Sequence, residues 1–131
     1  MALQPTLKRL LVVEDDPDQC RAVRDRLELY GYAVACAEDG QTAMEMLQAD
    51  SFDGILLDLN LPHVSGIQVL VATRQARPNL PVLVMSASQS RLRAAKESNG
   101  ACSYIAKPFG IAQFKQALQA CFGPACQPAI A

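Results

Sequence analysis

Residues 10–17 read Leu-Leu-Val-Val-Glu-Asp-Asp-Pro, and this stretch decides the fold. Four apolar residues in succession are typical of a short strand that is buried on both faces. Asp16 followed by Pro17 is a helix start, with the aspartate as the N-cap and the proline at the first helical position. The stretch therefore predicts a strand that passes through acidic residues into a helix.

The same pattern of a short apolar run followed by an amphipathic segment recurs along the chain. The runs occupy residues 10–13, 33–37, 54–57, 82–85 and 104–106. The segments after them have apolar positions spaced by three or four residues, although the pattern is weak over 88–99. The positions that define the other helical faces are Cys20, Val23, Leu27 and Tyr30, then Ala43, Met44 and Leu47, then Ile67, Leu70, Val71 and Arg74, and finally Ile111, Phe114, Leu118 and Cys121. Five strands alternating with five helices predict an α/β fold whose parallel sheet is covered on both faces.

Length and composition fit one domain. The chain has 131 residues, of which 50% are hydrophobic, enough for a substantial core. No apolar run is long enough to cross a membrane, and residues 1–9 lack the apolar core of a signal peptide, so we expect a cytoplasmic protein without membrane contact. We expect the domain to cover residues 1–122. Residues 123–131 are rich in alanine and proline, which predicts a flexible tail or the start of a linker.

Five cysteines occur, at positions 20, 36, 102, 121 and 126, together with a single histidine, His63. No two cysteines have the Cys-x-x-Cys spacing of a zinc site, and the odd number argues against a disulfide framework. We therefore expect thiols, most of them small core residues, with Cys121 and Cys126 as candidates for exposure. His63 lies in a short loop, which favours an exposed loop residue over a phosphotransfer histidine.

The charges are unevenly distributed along the chain. The net charge of −1 argues against a generic nucleic-acid binder. Residues 1–66 contain twelve acidic and five basic residues, a net charge of −7, whereas residues 67–131 contain one acidic residue and seven basic ones, a net charge of +6. We expect the first half of the chain to gather negative charge and the second half to form a basic surface.

Chemically active side chains follow the predicted strands, at the edge where an open parallel sheet binds ligands. Glu14 and Asp15 follow the first strand, Asp58 the third, Ser86 the fourth and Lys107 the fifth. Two carboxylates about 5 Å apart repel by roughly 1 kcal/mol in water and by several times more in a protein, so the acidic cluster requires a cation. Carboxylate oxygens with few nitrogen or sulfur ligands nearby suit Mg²⁺, which also accepts phosphate oxygens.

The whole constellation predicts phosphoryl transfer onto an aspartate. Lys107 can pair with Asp58 at rest and with a phosphoryl oxygen later, while the Ser86 hydroxyl can donate a hydrogen bond to the same group. Asp58 is the expected acceptor, because a carboxylate that attacks phosphorus forms an acyl phosphate. A structural role would be the simpler explanation for a lone aspartate, but it does not account for the acids, hydroxyl and lysine at corresponding strand ends.

Four segments of the chain resemble the receiver domain of bacterial two-component response regulators. They are Leu-Val-Val-Glu-Asp-Asp (11–16), Leu-Leu-Asp-Leu-Asn-Leu-Pro-His-Val-Ser-Gly (56–66), Val-Met-Ser-Ala (84–87) and Ser-Tyr-Ile-Ala-Lys-Pro-Phe (103–109). Each is weak alone, but the four occur in order, and Asp15 and Asp58 are separated by 43 residues, so together they are specific. The resemblance covers almost the whole chain.

The resemblance implies a doubly wound, flavodoxin-like sheet with the strand order 2-1-3-4-5. It implies a signalling phosphoacceptor and not an enzyme: the phosphoryl group passes to Asp58 from the histidine of a sensor kinase or of a histidine phosphotransfer protein. The implied cofactor is Mg²⁺, bound by Asp15 and Asp58, by Glu14 through water and by the backbone carbonyl of Asn60.

The resemblance also implies a switch. Ser86 and Lys107 occupy the positions of the family's hydroxyl and lysine, and a cis peptide bond to Pro108 aims the lysine into the site. When Ser86 moves to the phosphoryl group, Tyr104 turns into the space that it leaves, and the surface of the fourth helix, fifth strand and fifth helix changes shape. That surface would bind an output protein or domain or, on phosphorylation, a second copy of the chain. Its basic residues are Arg91, Arg93, Lys96 and Lys115. They favour an acidic partner or acidic residues of a second copy, and a solvated surface without a partner is the other explanation that stays open.

The chain departs from the family pattern at three places. Glu14 replaces the commoner aspartate, Ser86 replaces the commoner threonine, and the interval of 21 residues from Ser86 to Lys107 is about one residue short, which predicts a trimmed fourth helix or a shorter loop before it. Asn60 and Ser88 each lie two positions after a site residue. We expect these two residues to tune the lifetime of the acyl phosphate by positioning or admitting water.

Other functions use the same kind of sheet. A phosphatase of the haloacid-dehalogenase type also forms an aspartyl phosphate, but it requires an acid two residues after the nucleophile, where this chain has Asn60, and a cap for which little length is left. A receiver-like interaction module that is never phosphorylated stays open. Flavin and dinucleotide sites are disfavoured, because Glu14 and Asp15 would repel a phosphate and no Gly-x-Gly-x-x-Gly follows the first strand.

Overall fold

Five parallel strands form the central sheet of the computed structural model, which describes residues 6–61, 65–98, 101, 103–123 and 126–127. The strands are β1 (Arg9–Val13), β2 (Ala33–Ala37), β3 (Gly54–Asp58), β4 (Val82–Ser86) and β5 (Ser103–Ala106). Their order in the sheet is β2-β1-β3-β4-β5. The predicted fold class and strand order are confirmed, and each strand boundary lies within one residue of its prediction.

A helix follows each strand. The helices are α1 (Pro17–Leu29), α2 (Gly40–Ala49), α3 (Gly66–Ala76), α4 (Gln89–Ser98) and α5 (Ile111–Phe122). α1 and α5 cover one face of the sheet, and α2, α3 and α4 cover the other. Alternate residues of β1 point to opposite faces of the sheet. Leu10 and Val12 pack on the face covered by α1 and α5, whereas Leu11 and Val13 pack on the face covered by α2, α3 and α4. All four are 0% exposed, which is why the strand is apolar on both faces.

Side-chain caps fix where α1 and α3 begin. Asp16 accepts hydrogen bonds from the backbone amides of Asp18 at 2.9 Å and Gln19 at 3.3 Å, so it is the N-cap that the sequence predicts. Ser65 and Gln68 form a capping box at the start of α3. Because α1 begins directly after β1, its cap holds the acidic turn at the carboxyl edge of the sheet.

Two apolar positions that we expected to face the core are exposed. Val71 is 43% exposed and Ile111 is 60% exposed. In α3 the buried stripe runs through Val69, Leu70 and Thr73, and this leaves Val71 on the outer side. Ile111 is the first residue of α5 and lines an open surface groove. The spacing rule fails at both positions because neither helix is contacted over the full width of its apolar stripe.

The two ends of the described chain meet in a short antiparallel ladder that the sequence does not predict. Thr6 pairs with Gln127 and Leu7 with Cys126. Next to it, the Lys8 ammonium donates to the backbone oxygen of Phe122. Strands of two residues carry no hydrophobic periodicity, so composition alone predicted a flexible tail over 123–131. Residues 124–125 and 128–131 lie outside the described part of the chain, and the domain boundary at residue 122 stays a prediction.

The cysteines differ in state. Cys20 is a buried free thiol and Cys36 a half-buried one. Burial, followed by the adjacent Cys36 thiol, raises the pKa of Cys20 to about 12, so Cys20 is the protonated core residue that we expected. Cys121 is disulfide-bonded, and the expectation of a free thiol is wrong at this position. The odd number of cysteines excludes pairing of all five but not of two.

No helix in the described ranges is both long enough and apolar enough to cross a membrane.

Gly66 permits a close backbone approach, and we predict that Gly66→Ala destabilises the fold. A Cβ at residue 66 would lie 2.3 Å from the Cα of Leu59 and 2.8 Å from the backbone oxygen of Asp58. Backbone atoms cannot move aside without shifting the end of β3, so we expect a loss of about 2–3 kcal/mol in the free energy of unfolding, measured by urea titration. Gly110→Ala is the matched control, since nothing lies within 4 Å of its Cβ. Equal unfolding midpoints for the two variants would contradict this account.

Candidate functional site

The carboxyl edge of the sheet brings the predicted site residues together. Asp58 is the last residue of β3 and Ser86 the last residue of β4, while Glu14 and Lys107 directly follow β1 and β5. The Lys107 amide donates to the Ser86 backbone oxygen at 2.9 Å, and the Glu14 amide donates to the Ala37 oxygen at 3.0 Å, so both residues continue the sheet's hydrogen bonding. Parallel pairing therefore sets their side chains on one rim.

The Lys107 ammonium lies at the centre of this rim. Its Nζ is 2.6 Å from Asp58 Oδ2, 3.2 Å from Glu14 Oε2 and 3.1 Å from Gln19 Oε1. Glu14 is 3% exposed and Asp58 is 4% exposed. One cation thus satisfies two buried carboxylates. The sequence did not indicate Gln19, whose reach into the site comes from its place in the first turn of α1.

The pKa values reflect this shared cation. Burial, followed by the neighbouring Asp58 carboxylate, raises the pKa of Glu14 to about 7. Burial alone would also raise the pKa of Asp58, but hydrogen bonds from Glu14, Lys107 and the Asn60 amide outweigh it and lower that pKa. Burial opposes the charged form of Lys107, yet its contacts with Asp58 and Glu14 raise its pKa. Asp58 is therefore held as a carboxylate beside a protonated lysine.

The second oxygen of Asp58 and the Ser86 hydroxyl each have a local partner. The backbone amide of Asn60 donates to Asp58 Oδ1 at 2.8 Å. Ser86 is 0% exposed, and its Oγ accepts from the amide of Ser88 at 3.0 Å. As an acceptor in that bond, the hydroxyl keeps its proton available for donation to another oxygen.

An open cleft of about 290 Å³ gives access to these groups. It is lined by Glu14, Asp15, Asp16, Gln19, Asp58, Asn60, Ala87 and Lys107. Asp15 is exposed at the rim, whereas Glu14 and Asp58 are buried. No three histidine, cysteine or acidic side chains within the described ranges are grouped as a ready metal site. A cation at this cleft would take carboxylate oxygens, a backbone carbonyl and water, which is the mixed coordination that Mg²⁺ accepts.

The remaining predicted positions lie beside the cleft or on α4. The Lys107–Pro108 peptide bond is cis, as the resemblance implied. Tyr104 is half-buried, and its hydroxyl donates to the backbone oxygen of Ala95 in α4 at 3.3 Å. Arg91, which we assigned to the outer surface, instead donates to the side-chain oxygen of Asn60. Sequence spacing gave no signal for that contact, because it joins an exposed residue of α4 to an exposed residue of the loop after β3. His63 lies outside the described residues.

Comparison with known proteins agrees with this geometry. The family model of the response regulator receiver domain matches residues 10–119. Response regulator MprA of Mycolicibacterium vanbaalenii is 34% identical over 113 residues, which are 86% of this chain and 49% of that protein. The chain spans about half the length of the curated relatives that it matches.

Solved structures share the fold and are similar in sequence. The response regulator TrrA from Thermotoga maritima, in complex with Mg²⁺ and BeF, superposes with a TM-score of 0.80 at 26% identity, covering 86% of this chain and 97% of that one. A response regulator from Burkholderia pseudomallei, with a phosphorylated aspartic acid, a calcium ion and citrate, has a TM-score of 0.76 at 30% identity and covers 86% of this chain and 68% of that one. With the strand order, the acidic rim and the match over residues 10–119 in agreement, this chain belongs to the receiver domains of two-component response regulators.

Proposed function

We propose that this receiver domain accepts a phosphoryl group on Asp58 in a Mg²⁺-dependent reaction and transmits the signal through a changed surface. One observation carries the proposal: the Asp58 carboxylate, buried but lining an open cleft, is held ionised by the Lys107 ammonium at 2.6 Å. A carboxylate that is kept charged and yet reachable from solvent is prepared to act as a nucleophile.

The reaction itself is a displacement at phosphorus. A carboxylate oxygen of Asp58 forms a bond to phosphorus while the bond from phosphorus to the donor breaks. With a phosphohistidine donor, the imidazole nitrogen leaves with the electron pair and is reprotonated from solvent. Lys107 already contacts Asp58 Oδ2, so its ammonium is placed to donate a hydrogen bond to a phosphoryl oxygen once Asp58 carries the group. The Ser86 hydroxyl, at the end of the neighbouring strand, would donate to another phosphoryl oxygen.

Mg²⁺ fits the donors available at this cleft. Glu14 and Asp58 share one ammonium, and Asp15 adds a further acidic group at the rim, so the acidic groups outnumber the one cation. All candidate ligands are oxygens: Asp15, Asp58, Glu14 through water, and the backbone carbonyl of Asn60. When bound, the ion would neutralise these carboxylates and the incoming phosphoryl oxygens, which would otherwise repel each other.

The surface formed by α4, β5 and α5 is the proposed output. Tyr104 in β5 bonds to Ala95 of α4 through its hydroxyl, and the Lys96 ammonium lies 5.7 Å from the centre of its ring. If the Ser86 hydroxyl turns toward a phosphoryl group, Tyr104 gains room beside it, and its contacts with α4 change. Such a switch requires two packings that differ by a few kcal/mol.

The proposed partners follow from these steps. A sensor histidine kinase or a histidine phosphotransfer protein would supply the phosphoryl group in the cytoplasm. An output protein or domain, or a second phosphorylated copy of the chain, would bind the surface of α4, β5 and α5. Since that surface carries Arg93 and Lys96, we propose an acidic partner. Lys115, which we expected on the same surface, instead lies with its ammonium 5.6 Å from the centre of the Tyr30 ring at the end of α1.

We predict that incubation with Mg²⁺ and acetyl phosphate adds one phosphoryl group to Asp58. Intact-mass spectrometry should detect one modification in the full chain, and Asp58→Asn should abolish it, because the amide is not a nucleophile for phosphorus. Asp16→Asn is the matched control: it makes the same change at the cleft but keeps the helix cap. Multiple turnover of phosphate esters would instead identify a phosphatase. The absence of any modification would identify a passive interaction module.

We predict that Mg²⁺ binds the free protein and raises its melting temperature, and that EDTA reverses the shift. Asp15→Asn should weaken binding at least about tenfold, since it removes a charge at the rim. Asp25→Asn on α1 removes an acid that does not line the cleft and should leave binding unchanged. Equal Mg²⁺ affinities of the Asp15 and Asp25 variants, measured by calorimetry, would exclude the proposed ligand.

We predict that phosphorylation changes hydrogen exchange in α4 and β5. Loss or repositioning of the contact between Tyr104 and Ala95 should alter amide protection over Gln89–Ser98 and Ser103–Ala106. The backbone of α2, on the far side of the same layer, is the internal control. Asp58→Asn should show no change under the same conditions. A response restricted to the cleft loops would rule out this output surface.

A further inference from the structure

Arg91 makes a contact that a place on the output surface does not explain. It lies in the first turn of α4, and its guanidinium Nη1 donates to the side-chain oxygen of Asn60. The backbone amide of Asn60 in turn donates to Asp58 Oδ1 at 2.8 Å. One arginine side chain thus joins the start of α4 to the loop that holds the proposed phosphoacceptor.

The backbone of Arg91 is held as well as its side chain. Its amide donates to Ser88 Oγ at 3.2 Å, and the amide of Ser88 donates to Ser86 Oγ at 3.0 Å. These bonds form a path from Ser86 at the end of β4, through the first turn of α4, to Asn60 and Asp58 at the end of β3. The guanidinium that contacts Asn60 therefore extends from a helix turn that is itself bonded to the site.

We propose that Arg91 is a positioning residue that lengthens the lifetime of the phosphoryl group by holding the side chain of Asn60. The proposal rests on phosphorylation of Asp58, as proposed above. It concerns the return reaction, in which a water oxygen bonds to phosphorus, the Asp58 carboxylate leaves with the electron pair, and the proton of the water passes to solvent.

The side-chain oxygen of Asn60 is suited to orient that water. It is a carbonyl acceptor two residues from Asp58, and Asn60 lines the cleft. While Arg91 donates to this oxygen, a charge-assisted hydrogen bond directs it at the guanidinium, and water must compete for it. Without Arg91, the oxygen is released to accept a hydrogen bond from an attacking water, and the dephosphorylation of Asp58 accelerates. Because both partners are exposed, the effect is modest, about threefold in rate.

The test measures loss of the phosphoryl group after the donor is removed. The full chain is phosphorylated with acetyl phosphate and Mg²⁺, desalted, and followed by intact mass. Arg91→Ala should lose the group about threefold faster than the unaltered chain. Arg21→Ala is the control, since it removes an exposed arginine side chain from α1 that does not line the cleft, and it should leave the rate unchanged.

Two further measurements identify Asn60 as the route. In an Asn60→Ala background, Arg91→Ala should have no additional effect, because the acceptor is already absent. In the unphosphorylated protein, Arg91→Ala should shift the side-chain amide resonances of Asn60, and Arg21→Ala should not. This spectroscopic readout needs neither Mg²⁺ nor a phosphoryl donor.

Failure of this proposal can be distinguished from failure of the proposed function. If the unaltered chain takes up no phosphoryl group, the proposed function fails and the inference falls with it. If Asp58 is phosphorylated but Arg91→Ala decays at the same rate or more slowly, the inference alone is overturned. It is also overturned if the faster decay persists in the Asn60→Ala background, because Arg91 would then act without Asn60.

Discussion

The ammonium of Lys107 is the charge on which the acidic rim depends. Glu14 directly follows β1, and Asp58 is the last residue of β3. Because these two strands pair in parallel, both carboxylates lie at the same rim of the sheet. Both are buried, so repulsion between them is weakly screened by water. Lys107 contacts both, and its own backbone amide is bonded to Ser86 of β4. The strand β5 is therefore the edge strand of the sheet, and it also positions the lysine whose charge balances the acidic side chains.

Burial on two faces explains why polar chemistry is confined to one edge. The strands β3 and β4 are buried along their whole length, and helices lie on both of their faces. A charged side chain within either strand would have no route to solvent. A side chain leaves this buried environment only at the end of each strand. Asp58, which ends β3, lines the cleft, and Ser86, which ends β4, accepts a hydrogen bond from a loop amide. The site is thus a consequence of the same layering that stabilises the core.

The sequence predicts those parts of the molecule that repeat a local rule. The five strands and the cap at Asp16 follow from apolar runs and from a helix start signal, and the structure confirms them. Val71 shows the limit of this rule. It is an apolar residue at helical spacing, but it is exposed, because the packing of the whole layer decides which side of α3 is buried. The ladder of Leu7 with Cys126 depends on where the chain ends meet in space. The contacts of Gln19 and Arg91 depend likewise on tertiary placement, which no spacing within one helix encodes.

The helix α4 is weakly anchored, and it contacts the site and the proposed output surface at different points. Among its residues 89–97, two side chains are buried, Leu92 and Ala95, so little apolar area holds it to the sheet. Its first turn is bonded to Asn60 through Arg91, and a later turn receives the Tyr104 hydroxyl. An element with few buried contacts moves at small free-energy cost, and polar contacts at both places are what the proposed transmission through α4 requires. The poor hydrophobic pattern of α4 and its proposed role in signalling therefore have the same physical origin.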